Sequence, residues 1–210
     1  MHNTVFLRVY RADCLTEKLN LSSDTCISMV QLSWNKHKHV HFHNTLLAKE
    51  NKELILYAIV LFVLPLFPLN QLVAGTIINA LLIKTAITYK SNKVFLLSII
   101  PSTGALAGGI LFSNLASQLI LMLPIIWLGN LTIMFLMKSL YTKKGKEFFY
   151  SALFSGTAKT ILLFSASVFL FSQSLVPVLF LTMFGINQLI TAEAGAILVA
   201  ATNYIAKEIF

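Results

Sequence analysis

Charge is scarce in this sequence: Asp, Glu, Lys and Arg make up 11% of 210 residues, against 57% hydrophobic residues and a mean hydropathy of +0.78. That balance excludes an ordinary soluble globular domain and specifies an integral membrane protein. Cysteine is nearly absent. Cys14 and Cys26 both precede the first apolar stretch, which excludes disulfides between membrane helices and iron–sulfur ligation by a cysteine set. Residues 1 to 30 lack a continuous apolar core, so no cleavable signal peptide is expected. Catalytic motifs are missing too: there is no HExxH, CxxC or nucleophile elbow. The run SGTAKT ends in the Lys-Thr of a phosphate loop, but it lacks the first glycine and a preceding strand and lies inside an apolar helix pattern. No enzymatic activity and no cofactor are expected, and uphill work would draw on a partner or an ion gradient. The net charge of +8 comes without a basic patch interleaved with aromatics, which excludes nucleic acid as the partner.

Residues 1 to 53 are polar and mixed in charge, and they are expected to form a poorly ordered cytoplasmic segment ahead of a membrane domain over 54–210. The tract HKHVHFH places His37, His39, His41 and His43 at alternate positions. An extended strand would bring the four imidazoles to one face, a weak candidate metal site for nickel, zinc or copper. The alternative is a solvated tail, or translated sequence upstream of a start at Met29.

From residue 54 onward six apolar stretches follow, over 54–69, 72–89, 94–113, 115–141, 147–173 and 175–206. Their lengths are near or above the ~20 residues that span a bilayer, so the fold class is all-α: a polytopic membrane protein with six transmembrane helices. Pro65 and Pro68 give the first stretch a kink and an outer loop, PLNQ. Basic residues are confined to alternate connections. Lys49 and Lys52 precede helix 1, Lys84, Lys90 and Lys93 flank the second connection, Lys138, Lys143, Lys144 and Lys146 the fourth, and Lys207 follows helix 6. The N and C termini are therefore expected to be cytoplasmic. Lys159 alone lies outside the scheme.

The strongest polar residue of each of helices 2 to 6 falls close to the midpoint of its stretch, within roughly 5 Å at the helical rise. These residues are Asn79, the Ser102-Thr103 pair, Asn130, Lys159 and Glu193. An ionisable side chain at that depth usually marks function, and Lys159 and Glu193, on adjacent antiparallel helices, are expected to pair. Five polar groups at one level imply either a shared cavity or a buried network that only holds the helices. Gly104 and Gly108 form a GxxxG face on helix 3, and Pro101 is expected to kink that helix. On helix 6, Gly185, Gln188, Ala192, Gly195, Ala196 and Asn203 share a side, with Glu193 beside its margin. Asn70 and Gln71 stand at the outer end as a candidate gate, with Asn114, Gln118 and Gln173 at the same level.

Five strings resemble a known family. QLVAGTIINALL, IPSTGALAGG, LPIIWLGN, AKTILL and QLITAEAG span residues 71 to 195 in an order similar to the substrate-capture (S) components of energy-coupling-factor (ECF) transporters. That family comprises prokaryotic uptake systems for vitamins and metals. The resemblance implies six helices with cytoplasmic termini, a pocket reached from outside under the first outer loop, and residence in the prokaryotic plasma membrane. It also implies partners: a coupling transmembrane protein and a pair of cytoplasmic ATPases. Helix 1 offers only Ala58 where family members commonly carry an alanine-rich face.

The first reading is thus a binding subunit for a small polar solute, vitamin-like or metal-related. Asn79, Asn130, Lys159, Gln188 and Glu193 would line or hold its pocket, and Lys159 would favour an anionic group. A structural or accessory subunit locked by a Lys159–Glu193 pair, and a small carrier in which Glu193 moves a proton, are the alternatives.

Overall fold

A computed structural model describes residues 51–67, 69–89, 92–108 and 116–209. The chain divides into two units, Met1–Lys52 and Glu53–Phe210, and the second is described here. The tract of His37, His39, His41 and His43 lies outside the described residues.

Apolar side chains of this density leave the backbone no water to bond in a bilayer, so each segment satisfies its N–H and C=O groups internally as helix. Every element among the described residues is helical. In chain order, α1 occupies 53–63 of this unit and tightens into a 3₁₀ turn at Leu64–Leu66. Then come α2 (Gln71–Thr88), a 3₁₀ segment (Asn92–Ser98), α3 (Ile100–Gly108) and α4 (Ala116–Met137), which widens into a π turn at Lys138–Lys143. The unit closes with α5 (Phe148–Ser172), α6 (Leu179–Phe184) and α7 (Ile186–Ile209).

Four spans are long and apolar enough to cross a membrane: Gln71–Thr88, Ser117–Lys143, Phe148–Ser172 and Leu179–Ile205. The protein is therefore a multi-pass, membrane-embedded helical bundle. Its polarity is arranged accordingly. Leu56, Phe149, Leu153, Ile161, Phe169 and Ile197 are exposed, while Asn79, Ser102, Asn130, Ser155, Lys159 and Thr191 are buried. Part of that buried polarity is purely local: Ser151, Ser155 and Ser167 each donate to the carbonyl four residues earlier on α5.

Three of the six apolar stretches are not the continuous rods their composition suggests. Pro65 ends α1 as an α-helix and sits, buried, in the 3₁₀ turn. The third stretch begins as a 3₁₀ segment, and its described α-helical part is nine residues, about 14 Å at the helical rise. Pro101 accordingly occupies the first turn of α3, where its missing N–H is harmless, instead of kinking a longer helix. The sixth stretch is divided at Gly185. A Cβ there would lie 2.5 Å from the Leu181 carbonyl oxygen and 2.9 Å from the Phe164 ring. Only a glycine lets the chain pass so close to α5 while it leaves helical geometry.

Small residues fix which helices touch. Gly104 packs on the backbone of Phe62, and Gly108 on Leu66 and Pro65, so the glycine face of α3 lies along α1. The most extensively packed pair is α2 with α7. Gln71 bonds Asn187, Gly75 meets Thr191 and Asn79 meets Gly195, each pair 116 positions apart. A constant offset means that the two helices run parallel. At the far end of the same pair Lys84 donates to Asn203. Tyr89, just past α2, donates to Glu53 at the start of α1 (2.5 Å), and Lys138 lies 5.3 Å from the centre of the Phe95 ring, a cation–π contact.

Candidate functional site

The α2–α7 seam sets the register of the central hydrogen-bond chain. Lys159 Nζ, carried by α5 and 2% exposed, donates to Asn79 Oδ1 at 2.6 Å. Asn79 Nδ2 donates to Thr191 Oγ1 at 3.1 Å, and Thr191 donates back to the Gln188 carbonyl at 3.1 Å. Three helices are thereby linked through one carboxamide. Because Asn79 receives from an ammonium on one side and donates to a hydroxyl on the other, the orientation of its amide is determined.

This chain forms one wall of a cavity of about 120 Å³. Gln71, Asn79, Ser102, Asn130, Lys159, Asn187, Gln188 and Thr191 contribute its polar lining; Ile78, Leu119, Ile126 and Phe184 are among its apolar residues. The three interruptions of the helices all reach it, through Pro65, Pro101 and Phe184 with Asn187. Non-helical backbone at membrane depth is tolerated where it lines a cavity, and broken helices around a central pocket are the arrangement by which membrane proteins present polar groups to solutes.

Another part of the lining is held by α4. Trp127 Nε1 donates to Ser102 Oγ at 2.7 Å, and Asn130 Nδ2 to the Ser98 carbonyl at 2.9 Å. Residues 127 and 130 are one helical turn apart and so reach the start of α3 together. Asn130 therefore satisfies a carbonyl at the point where the 3₁₀ segment gives way to α3.

Of the expected site residues, Asn79, Asn130, Lys159 and Gln188 come together around this cavity, and Glu193 does not. Glu193 lies against Gly156 of α5, with Oε1 buried and without a hydrogen-bond partner among the described residues. The expected Lys159–Glu193 pair is thus replaced by Lys159–Asn79. At 100° per residue, Glu193 projects about 160° round α7 from Thr191, away from the face that meets Asn79. Lys159 is one turn further along α5 than Gly156 and extends toward α2. The Ser102-Thr103 pair also divides: Ser102 lines the cavity, whereas Thr103 donates to the Ile100 carbonyl at 2.7 Å on its own helix.

The two gate residues separate as well. Asn70 is the N-cap of α2, its side chain accepting from the Leu72 N–H at 2.8 Å, a helix-starting role. Gln71 lines the cavity, donates to the Met183 carbonyl at 3.4 Å and accepts from Asn187 at 3.5 Å. It therefore ties α2 to the α6–α7 break.

Trp127 and Asn187 were missed by pattern reading. A buried indole N–H requires an acceptor, which could have drawn attention to Trp127. Asn187 follows a glycine that reads as ordinary helix until the break is seen. Among the described residues no cluster of metal-ligating side chains occurs.

If the cavity takes a solute, Glu193→Gln is expected to leave that binding unchanged, within about twofold in apparent affinity by melting curves in detergent, because Glu193 stands apart from it. A loss of binding in this variant would place Glu193 in the site.

Comparison with family models, curated proteins and solved structures gives no match.

Proposed function

We propose that this chain is the membrane-embedded solute-binding subunit of an uptake system of the energy-coupling-factor type, taking a small polar solute into the cavity at Lys159. The observation that carries this reading is the convergence of polar groups from α2, α3, α4, α5 and α7 on one cavity beside a buried lysine. A network serving only to join helices has no need of a void between its members, since close packing is the default of a protein interior.

Six membrane passages with cytoplasmic termini belong to the same proposal. The alternation of basic connections supports it, as does the parallel course of α1 with α3 and of α2 with α7. The prokaryotic plasma membrane, the coupling transmembrane protein and the cytoplasmic ATPase pair follow from the five strings that resemble S components. In this reading the chain binds and does not catalyse, and the energy for transport is supplied by those partners.

The test fills the cavity without touching its polar groups. Ala105 lines it from α3, and Ala105→Phe is expected to leave the protein folded in detergent. A small polar solute recovered with the unaltered protein should be absent from the variant. Recovery of the same solute at the same occupancy from Ala105→Phe would refute the cavity as the binding site.

A further inference from the structure

We infer that the solute held in this cavity is a small monocarboxylate of about four to six non-hydrogen atoms, its carboxylate against Lys159 and its short apolar body against the apolar part of the lining. The inference rests on reading the cavity as a solute site and assigns the chemical class of what enters it.

Charge is the first consideration. The Lys159 ammonium has three N–H donors, and its one hydrogen bond among the described residues goes to Asn79 Oδ1. Among the described residues no Asp or Glu lines the cavity, and Glu193 lies against Gly156 and forms no ion pair with this lysine. Among the described residues the cavity offers this lysine a neutral amide and no carboxylate, so an anionic occupant would be the group that offsets a charge held there. Among the described residues Lys159 is the one cationic group lining the void, which matches one negative charge and not two.

Lys159 keeps two N–H donors beyond the one given to Asn79, and the side chain of Gln188 also lines the cavity, enough for the two oxygens of a carboxylate. Much of the remaining lining is apolar, including Ile78, Leu119, Ile126 and Phe184. A ligand with one anionic end and one apolar end suits both kinds of lining.

Size sets the remaining limit. A void of roughly 150 Å³ accommodates benzene, with its six heavy atoms. A cavity of about 120 Å³ therefore encloses a molecule of that size or slightly smaller, such as butyrate or lactate.

The test uses the full chain in detergent at constant ionic strength and neutral pH. Melting curves are recorded against acetate, propionate, butyrate and lactate, the amides butyramide and lactamide, octanoate, and inorganic phosphate. The two- to four-carbon acids are expected to raise the melting temperature saturably, with the amides, octanoate and phosphate at least tenfold weaker. Lys159→Met should abolish the response. Asn79→Asp provides a second variant: it places a carboxylate beside Lys159 from within the protein, and should retain the fold while weakening the acids at least tenfold. Amides equal to their acids, or phosphate preferred to them, would overturn the inference and leave the solute site standing. If no small solute is recovered with the unaltered protein and none of these compounds shifts its melting temperature, both readings fail together.

Discussion

Replacement of Asn79 by leucine is expected to destabilise the bundle by about 2–3 kcal/mol and to abolish solute binding. Asn79 is the sole hydrogen-bond partner of Lys159 among the described residues and also donates to Thr191. Its removal leaves an ammonium in a buried site without an acceptor, and hydrogen bonds to charged groups contribute about 1.5–3 kcal/mol each. Bonds between neutral groups of membrane helices average only about 0.6 kcal/mol, so most of the effect should come from the lysine. A double-mutant cycle separates the two contributions. If Lys159 is what suffers in Asn79→Leu, then Asn79→Leu combined with Lys159→Met should recover at least 1 kcal/mol relative to the sum of the single changes. That threshold lies above the error of about 0.5 kcal/mol expected for independent sites. Unfolding in mixed micelles supplies the measurement. Strict additivity would mean that the Lys159–Asn79 bond contributes nothing to the fold.

The second large effect is expected at the α2–α7 seam. A Cβ on Gly195 would lie 2.8 Å from the backbone nitrogen of Ala80 and 3.0 Å from both Asn79 Cβ and the Thr76 carbonyl oxygen. Two of these atoms belong to the α2 backbone and cannot rotate away, so the helices must separate. Gly195→Ala should cost about 1–3 kcal/mol, the usual penalty of overpacking, although alanine is the better helix former by about 1 kcal/mol. Gly195→Leu should separate α2 from α7 far enough to disrupt the Lys159–Asn79–Thr191 chain and with it the cavity. Gly129 provides the contrast. The three atoms nearest its Cβ would all belong to the side chain of Leu163, at 3.1–3.3 Å, and that side chain can shift. Gly129→Ala is therefore expected to be close to neutral in the same assay. Equal losses at the two glycines would show that the α2–α7 approach is not what Gly195 protects.

Composition alone determined the solvent of this protein. With 57% hydrophobic and 11% charged residues there is no way to cover the surface for water, and runs of that length can satisfy their backbone only as helices. Asn79, Ser102, Asn130 and Lys159 could be singled out together from their places near the middle of their apolar stretches, and all four line the one cavity. Gln188 could likewise be placed on the inward face of α7 from helical spacing alone.

Direction round the axis and choice of partner required the tertiary structure. Lys159 and Glu193 lie at similar depth on adjacent helices, and opposite charge made them the natural pair. Which groups meet depends on the rotation of each helix, and that rotation is set by glycine contacts contributed from elsewhere in the chain. Gly75 and Gly195 bring α2 against α7 and present Asn79 to the lysine, while Gly156 accommodates the carboxyl group of Glu193 a turn away. The helix interruptions were equally hidden. A proline marks a possible break, but whether Pro101 kinks a helix or begins one depends on whether Asn130 of α4 is present to satisfy the Ser98 carbonyl just before it. Spacing along one helix is a local property of the chain. The void among several helices is produced by how they pack, and no single segment carries it.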